Sequence, residues 1–575
     1  MLKLSRYLNP YRMKLVLMMI VLFLQVFGTL YVPTLTSVIV NEGVVKGNLA
    51  VVRETGIIML AVSLAVSGVS VLETCLSSMI FGAVERDIRN DLFEKSQKLT
   101  VNDFKRFGAG SLIVRCTNDV AQVKQAFMSA TEMLLPAPVM SVVGLVLAFE
   151  KNPSLAMLII MSMLIACVIM VAINTKAVRM FEVMIEMLDK INSKLRENLS
   201  GIRVIRAFNR SAYEEKRMNQ EYEDYASLNI RINRIFSVML PLIMMIMDLC
   251  IIAIVAIGGK GVTNGQMQIG DIMAVIEYSI LILMYLIMGI MVFMDLPRAQ
   301  TSAKRITEIL GISDGYEVRK SDFGIRKNAP ILEFRNVSFQ YQGAEEPVLN
   351  NISFIADVGK TTAIIGGTGS GKSTIANLIP RFYDIQSGSI FVDGKNIVNI
   401  PVEELRNRIG FVPQKAFLFS GTIMDNLLHS KNDATIEEAR HAVKIAQIDD
   451  FIEEQENGFD TRVSQGGNNF SGGQRQRLAI ARALIRKPEI YVFDDCFSAL
   501  DFKTDARLRH ALKKETENAT VILVAQRIST IMNADQIVVL DEGRIAGIGT
   551  HKKLLKNCEV YRKIARSQLS EEELS

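Results

Sequence analysis

Six long apolar runs occupy the first half of the sequence, and they restrict the fold more than any other feature. Each run is long enough to cross a bilayer, and a backbone exposed to lipid must satisfy its hydrogen bonds within a helix or a closed barrel. We therefore predict a membrane domain over residues 1–310, a linker over 311–330 and a soluble α/β domain over 331–575. The predicted spans cover residues 15–40, 56–82, 129–149, 154–174, 238–258 and 271–294.

The loops between the spans predict the topology. Only "EKNP" (Glu150–Pro153) joins the third span to the fourth, and a short glycine-rich turn joins the fifth to the sixth. The segments 83–128 and 175–237 are instead long, helical in pattern and rich in Lys and Arg. The positive-inside rule places these segments in the cytoplasm, and the soluble domain with them. We expect the membrane helices to continue into the cytoplasm before they turn back.

Charge and cysteine content exclude several other classes of protein. The formal net charge of +5 is mild for 575 residues, so a nucleic-acid partner is not predicted. The six cysteines are scattered and form no CxxC pair, so neither a disulfide framework nor a zinc site is indicated. The predicted partner of the first half is the lipid bilayer.

The strongest motif is "GGTGSGKST", which matches GxxxxGK[ST]. A predicted strand precedes it and a predicted helix follows it, as a phosphate-binding loop requires; the alternative is a chance glycine-rich turn. Backbone N–H groups of such a loop converge on phosphate oxygens, Lys372 supplies a positive charge, and the Ser373 hydroxyl can bind magnesium. The predicted nucleotide-binding residues here are Gly366, Thr368, Gly369, Ser370, Gly371, Lys372, Ser373 and Thr374.

Two further stretches carry chemistry. Asp494 ends the apolar strand Ile490–Phe493 and suits a second magnesium position. Between it and the phosphate loop, "FSGGQRQRLAIARAL" (Phe470–Leu484) opens a predicted amphipathic helix. The start of that helix can offer N–H groups and a hydroxyl to an anion, although a capped surface helix has the same pattern.

In this order the motifs resemble the nucleotide-binding domain of ATP-binding cassette (ABC) transporters, and the chain resembles a half-transporter of the six-helix exporter type. The fold implied is a membrane all-α six-helix domain followed by an α/β P-loop NTPase domain. The resemblance implies that Gln414 is the Q-loop residue, that Ser498–Asp501 is the D-loop and that Tyr341 stacks on adenine. In the membrane half, Phe107–Val120 and Glu197–Arg210 are similar to exporter segments near the coupling helices. The implied signature residues are Ser471, Gly472, Gly473 and Gln474.

The resemblance also implies the cofactors and the partner. ATP and Mg²⁺ are expected, with Ser373, Gln414 and Asp494 as the magnesium ligands. Two nucleotide domains are expected to pair head to tail, so that each ATP contacts the phosphate loop of one chain and the signature of the other. One chain alone then completes neither site. The implied location is a bacterial plasma membrane, with the nucleotide domain in the cytoplasm.

Three positions depart from the family pattern. Asp495 stands where the family has the catalytic glutamate, and its shorter side chain draws the carboxylate back by about an ångström, which can cost about 100-fold in rate. Gln526 stands at the position of the switch histidine and cannot carry a positive charge. Gln465, before the signature, replaces a glutamate that exporters often have. Together with Gln414, Asp495 and Gln526 are the predicted catalytic positions.

These departures predict a site that binds Mg-ATP and hydrolyses it slowly, while the intact signature completes a competent site on a different partner chain. This pattern resembles the degenerate subunit of a heterodimeric multidrug exporter. Neutral drift in a slow homodimer that exports a lipid or a peptide is one alternative. An ATP-gated channel or a regulatory subunit is another, and the six spans argue against a soluble ATPase.

The cargo is predicted only in outline. Acids at membrane depth are costly and count as functional candidates, which singles out Asp248, Glu277 and, less strongly, Glu73. Asp248 and Glu277 predict that the small-molecule cargo includes lipophilic cations. A hydrogen bond between helices or exposure to a wet cavity is the structural alternative, and the sequence favours it over a cargo contact. The many methionines of the last two spans suit an adaptable apolar cavity, or simple packing against helices and lipid.

Overall fold

Six long helices dominate the first half of the computed structural model, which describes residues 3–313, 315 and 331–569. They contain 40 to 53 residues each, about twice the length that a bilayer crossing requires. Every predicted span lies within one of them, so the prediction of six spans is confirmed. The candidate membrane-crossing helices are Ser5–Val44, Leu49–Lys98, Ala109–Lys151, Pro153–Ser200, Ser211–Thr263 and Ile269–Leu310.

Several of these helices are built from consecutive segments. The α-helices are α1 Arg12–Val38, α2 Leu49–Lys98, α3 Val101–Phe107, α4 Ala109–Val114, α5 Val120–Ser129, α6 Pro136–Lys151, α7 Pro153–Ser200, α8 Ile202–Ala207, α9 Ser211–Thr263 and α10 Ile269–Leu310. A 3₁₀ turn, Ser5–Tyr11, precedes α1, and the π-helical turns are Ile39–Val44, Arg115–Asp119 and Ala130–Leu134.

The shortest connection between spans is a single capping residue. Asn152 has an extended backbone, and its side chain accepts hydrogen bonds from the N–H groups of Ser154 and Leu155 at 2.9 and 3.2 Å. Pro153 then occupies the first position of α7, where its missing N–H costs nothing. The sequence "EKNP" therefore ends one membrane helix and starts the next within one residue.

Polar side chains join three of the helices near that same turn. Lys151, at the end of α6, donates to Asp271 of α10 at 2.9 Å, and Ser37 of α1 donates to the same carboxylate oxygen at 2.9 Å. Deeper along α1 and α10, the hydroxyl groups of Thr34 and Tyr278 lie 2.7 Å apart. Buried polar groups need such partners, so these contacts fix α1, α6 and α10 against one another.

The chain divides into two compact units. One comprises Met1–Gln97 with Gly108–Ile312, and the other comprises Lys98–Phe107 with Ser313–Ser575. Helix α3 therefore groups with the second unit, although the sequence analysis placed it in the membrane domain. The predicted linker 311–330 lies almost entirely outside the described residues, and the predicted domain boundaries stay predictions.

The second unit is an α/β domain with three sheets. Its strands are β1 Leu332–Phe339, β2 Leu349–Ala356, β3 Thr361–Gly366, β4 Ser387–Val392, β5 Lys395–Asn396, β6 Ile409–Val412, β7 Gly421–Thr422, β8 Arg462–Val463, β9 Ile490–Asp494, β10 Thr520–Val524, β11 Gln536–Asp541 and β12 Arg544–Gly549. Its helices after α3 are α11 Lys372–Leu378, α12 Val402–Asn407, α13 Ile423–Leu428, α14 Ile436–Ile445, α15 Asp449–Glu453, α16 Gly472–Leu484, α17 Phe502–Glu515, α18 Ile528–Ile531, α19 His551–Asn557 and α20 Glu559–Arg566. Three 3₁₀ turns complete it at Ile397–Asn399, Gly458–Asp460 and Gln465–Gly467.

Strand order positions the site. The six-stranded sheet runs β12-β11-β3-β10-β9-β6, and all neighbours are parallel except the pair at the β12 edge. The strands β3, β10, β9 and β6 therefore end at one edge of the sheet, where ligands of open α/β sheets bind. A separate antiparallel sheet has the order β2-β1-β4-β5. The strands β3, β9 and β10 are almost fully buried, as their apolar sequences predict.

Candidate nucleotide-binding site

The phosphate loop leaves β3 and enters α11, as predicted. Gly369 and Gly371 have φ of +83° and +95°, a conformation that residues with a Cβ rarely adopt. A Cβ on Gly371 would also lie 2.5 Å from Leu349 Cδ2. Glycine is therefore required at Gly371 both by the backbone and by the packing around it.

The open side of this loop fits phosphate groups. A Cβ on Gly367 or Gly369 would meet nothing within 4 Å. Ser370 is 5 % exposed, and its hydroxyl oxygen has no hydrogen-bond partner within the described part of the chain. Lys372 donates to the carbonyl groups of Gly366 and Gly367 at 3.0 and 2.7 Å, which holds its ammonium over the loop. Phosphate oxygens would supply acceptors to this hydroxyl and this ammonium.

Lys372, Asp494 and Asp495 lie together in the partly buried site beside the phosphate loop. Burial lowers the pKa of Lys372, against the opposing charges of Asp495 and Asp494. Burial also raises the pKa of both aspartates, and Lys372 opposes that rise. In a site of lowered dielectric, such charges act strongly on a bound polyphosphate and on its metal ion.

Ser373 and Asp494 form the best-defined candidate magnesium site. The Ser373 hydroxyl, at the start of α11, donates to Asp494 Oδ1 at 2.8 Å, so the structure brings together two of the three predicted ligands. Hydroxyl and carboxylate oxygens are ligands that Mg²⁺ prefers, and the pair fits an ion that binds together with phosphates. Gln414 instead contacts Asp495, and its role as a magnesium ligand stays a prediction.

Asp495 is held by two glutamines. Gln526 donates to Asp495 Oδ2 at 2.7 Å, and Gln414 donates to the same oxygen at 3.0 Å. The backbone of Asp495 has φ +47°, and its N–H donates to the carbonyl of Val524 at 3.0 Å. Asp495 is 7 % exposed, and these hydrogen bonds fix the orientation of its carboxylate at the ends of β9 and β10. The three predicted catalytic positions therefore meet in one contact.

Tyr341 lies at the edge of this site. Its hydroxyl is 3.1 Å from that of Thr374, on the first turn of α11, and its ring makes edge contacts with Phe339 and Tyr383 at centroid distances of 4.8 and 5.3 Å. The nitrogen of Lys105, on α3, lies 5.6 Å from the Tyr341 ring centroid and donates to the Tyr383 hydroxyl at 2.7 Å. The half-buried Tyr341 ring suits stacking on a base, which stays a prediction.

Lys105 and Tyr383 were missed by the sequence analysis. Lys105 is one basic residue among many in the segment before Phe107, and nothing in its spacing marks it. Tyr383 follows α11 without a motif. Contacts such as theirs depend on how the aromatic cluster around Tyr341 packs, and a linear pattern does not encode that.

The signature stretch forms the capped start of α16. Both interpretations of the sequence, an anion-binding helix start and a capped surface helix, predict this structure. The Ser471 hydroxyl accepts from the N–H of Gln474 at 3.3 Å, and the Ser471 N–H donates to the Gln474 side chain at 2.7 Å. A Cβ on Gly472 would meet nothing within 4 Å, so this turn presents an open surface. No hydrogen bond or ion pair within residues 331–569 joins the signature to the phosphate loop. Their predicted roles on two different ATP molecules stay predictions.

The remaining departure and the membrane acids fall in different surroundings. Gln465 is exposed and starts the 3₁₀ turn before the signature. Asp248 is exposed on α9, Glu277 is half-buried on α10, and Glu73 is only 5 % exposed on α2. The acid that the sequence ranked last is thus the most enclosed.

Comparisons with known proteins agree with this architecture. The family described as ABC transporter transmembrane region matches residues 15–286, and the family described as ABC transporter matches residues 349–498. An ABC transporter ATP-binding protein of Mycobacterium tuberculosis is 39 % identical over 98 % of this chain and 97 % of its own length. An ATP-dependent lipid A-core flippase of Desulfotalea psychrophila is 33 % identical over 82 % of each chain.

A solved structure shares the fold. The structure of a bacterial Atm1-family ABC exporter with ATP bound matches with a TM-score of 0.82 and 25 % identity, covering 97 % of this chain and 99 % of the other. Its match extends over both units, so the predicted fold class is confirmed. The chain therefore belongs to the ABC transporters, as a half-transporter of the exporter type: a multi-pass inner-membrane protein whose ATPase domain is cytoplasmic.

Proposed function

We propose that this chain is one subunit of a heterodimeric ABC exporter that moves lipophilic or amphiphilic compounds out of the cell. Its own ATP site binds Mg-ATP and hydrolyses it slowly, and its signature completes the competent site of the partner. The contact of Gln526 and Gln414 with one oxygen of Asp495 carries the proposal.

The chemistry of hydrolysis explains why this contact matters. A general base must place its free carboxylate oxygen within hydrogen-bond reach of the attacking water. Asp495 is one methylene shorter than glutamate, and one of its oxygens already accepts two amide hydrogen bonds. In the family pattern, a histidine with a chargeable ring occupies position 526 and faces the terminal phosphate. Here Gln526 occupies that position and donates its side-chain hydrogen bond to Asp495. Both changes weaken hydrolysis and leave phosphate binding intact.

The phosphate-binding side supports the other half of the proposal. Lys372 is in position over the loop, and Ser373 is paired with Asp494. Neither contact involves an altered position. Tight binding of Mg-ATP with slow turnover is the combination expected of a site that mainly holds ATP while its partner hydrolyses.

The purified chain tests this directly. By itself it is expected to bind ATP with magnesium and to release phosphate very slowly. Co-expression with a second ABC half-transporter chain from the same genome that co-purifies with it is expected to give a stable pair with high turnover. ATP binding by the isolated chain serves as the control for folding. Rapid magnesium-dependent turnover by a verified homodimer would contradict the proposal.

A second candidate function is lipid export by a homodimer, which the likeness to the lipid A-core flippase favours. Reconstitution distinguishes the two. A homodimer that moves a labelled lipid between leaflets at the expense of ATP would support the second candidate, whereas ATP-dependent accumulation of dyes in inverted vesicles, seen only with the partner chain present, supports the first.

A further inference from the structure

Glu73 is a buried acid whose surroundings leave it incomplete. It lies on α2 within the second span, only 5 % of the residue is exposed, and its Oε1 has no hydrogen-bond partner in the described part of the chain. An isolated carboxylate in such a place is costly, and acids at membrane depth commonly serve binding or transport. A cationic partner would remove that cost.

The residues around Glu73 outline a site. Ser77, one helical turn further along α2 and fully buried, donates to Glu132 Oε1 at 2.8 Å. This hydrogen bond holds the Glu132 carboxylate against the face of α2 that carries Glu73, because residues four apart lie on the same side of a helix. Two helical segments, α2 and the turn Ala130–Leu134, therefore direct polar side chains to one place.

Glu132 reaches this place because its backbone is irregular. It lies in the π-helical turn Ala130–Leu134, between α5 and α6. Such turns insert a residue into the helical ladder, which redirects side chains, and they are frequent at functional sites. The structure thus brings a second acid to Ser77, on the same face of α2 as Glu73, without a sequence motif.

The neighbouring core is apolar. Leu76 and Phe81 of α2 are buried, and Phe81 stacks on Phe127 of α5 with ring centroids 6.1 Å apart. Met128 packs against the same cluster. Within the described residues no third His, Cys, Asp or Glu joins the two acids as a metal cluster would require. Two carboxylates beside aromatic and aliphatic side chains suit an organic monocation better than a metal ion.

We propose that Glu73, Glu132 and Ser77 form a binding site for the ammonium group of an amphiphilic amine. Glu73 accepts the charged N–H group, Glu132 adds negative charge while Ser77 holds it in place, and the apolar cluster receives the hydrocarbon part. This inference names the cargo class and rests on the export function proposed above.

Binding to the purified, co-expressed pair in nanodiscs tests the site. The probes are a radiolabelled long-chain alkylamine and the neutral alcohol of the same chain length. Glu73→Gln is expected to weaken amine binding by about tenfold to a hundredfold and to leave the alcohol unchanged, since it removes a charge-assisted hydrogen bond without changing shape. Glu132→Gln is expected to act in the same direction, and Ser77→Ala to act less.

Glu223→Gln serves as the comparison, because it makes the same substitution at an exposed acid on α9, outside the predicted spans. Its effect on amine binding is expected to be much smaller than that of Glu73→Gln. Equal effects of the two variants, or equal binding of amine and alcohol by the unmodified pair, would overturn the site. Should Glu73→Gln fail to assemble, Glu132→Gln and Ser77→Ala decide the matter by the same two probes.

Uptake into inverted vesicles separates this inference from the export proposal. If the unmodified pair binds the amine but accumulates neither probe, the site stands and the export function fails. If it accumulates both probes and Glu73→Gln reduces both equally without changing amine binding, export stands and the amine site is wrong. Loss of amine binding together with selective loss of amine uptake supports both.

Discussion

The two sides of the nucleotide site differ in how their polar groups are engaged. On the phosphate-binding side, Ser373 and Asp494 pair with each other and Lys372 lies over loop carbonyls, all of which a phosphate or a metal ion can replace. On the hydrolytic side, Asp495 is fixed by Gln526 and Gln414, both at hydrogen-bond distance from the same oxygen. The polar groups of the phosphate-binding side can exchange their present partners for a ligand, whereas the Asp495 carboxylate on the hydrolytic side already accepts hydrogen bonds from the protein itself. This contrast is the basis of our proposal that the site keeps its affinity for ATP and hydrolyses it slowly.

The largest expected effect lies away from both sides, at the signature. Gly473→Ala should lower phosphate release by the proposed heterodimer about 100-fold or more, because it obstructs a preorganised turn that we propose faces the partner's ATP. The fold should tolerate the change, since a Cβ there would meet the Ala499 carbonyl oxygen at 3.4 Å, an ordinary contact. Phosphate release at saturating ATP measures the effect.

Ser471→Ala is the companion variant, and it also removes a helix cap worth about 1 kcal/mol of the free energy of unfolding. Thr435→Ala is its matched control, because Thr435 caps α14 through the same kind of hydrogen bond, to the N–H of Glu438 at 3.2 Å. Both variants should lose similar stability, and only Ser471→Ala should lose turnover. If Ser471→Ala kept full turnover, the proposed role of the signature would be refuted.

The next effect concerns ATP affinity. Lys372→Ala should weaken ATP binding to the isolated chain by about tenfold to a hundredfold, since a charged hydrogen-bond donor to phosphate is lost. Lys360→Ala is the control, because Lys360 is exposed and pairs with Asp357 outside the site. Equilibrium binding of a fluorescent ATP analogue measures both. Unchanged affinity of Lys372→Ala would mean that the phosphate-binding side is not intact after all.

A smaller effect is expected from repair of the hydrolytic side. Asp495→Glu alone should raise turnover of the heterodimer only modestly, because Gln526 still lacks a chargeable ring. Asp495→Glu combined with Gln526→His should raise it further, as both the base and the switch position are restored. Single-turnover hydrolysis on this chain's own site is the sharpest measurement. Restoration of full two-site hydrolysis by Asp495→Glu alone would show that the glutamine contact has no consequence.

The sequence predicted the six spans, the strand–loop–helix of Gly366–Thr374 and the approach of Ser373 to Asp494, since apolar periodicity and a dense motif encode them locally. It identified Asp495 and Gln526 as altered but did not predict their mutual contact. That contact depends on β9 and β10 being neighbours, which only the folded sheet determines. Likewise, Glu73 ranked below Asp248 in the sequence because burial depends on helix packing, and a hydropathy window does not contain that information.

The smallest expected effect is on stability, and it tests the hydrolytic side through its dependence on pH. Burial raises the pKa of Asp495 above its unfolded value, so the folded state binds a proton more readily than the unfolded state does. Asp495 therefore contributes most to the free energy of unfolding at a pH below its pKa in the unfolded chain. That contribution is lost as the pH rises through its pKa in the folded protein. Asp495→Asn removes the charge but keeps the size of the side chain and an oxygen that can accept from the two glutamines. At pH 7.5 without nucleotide, this variant should unfold at a higher temperature than the unmodified chain. The difference should shrink steadily towards pH 4.

Asp501→Asn is the control with the opposite sign, because hydrogen bonding from Thr504 lowers the pKa of Asp501, so its charge is favoured in the folded state. Melting curves of the three proteins across this pH range measure both trends. A melting temperature of Asp495→Asn that falls below that of the unmodified chain at pH 7.5 would indicate that the glutamines stabilise the ionised carboxylate more than burial penalises it.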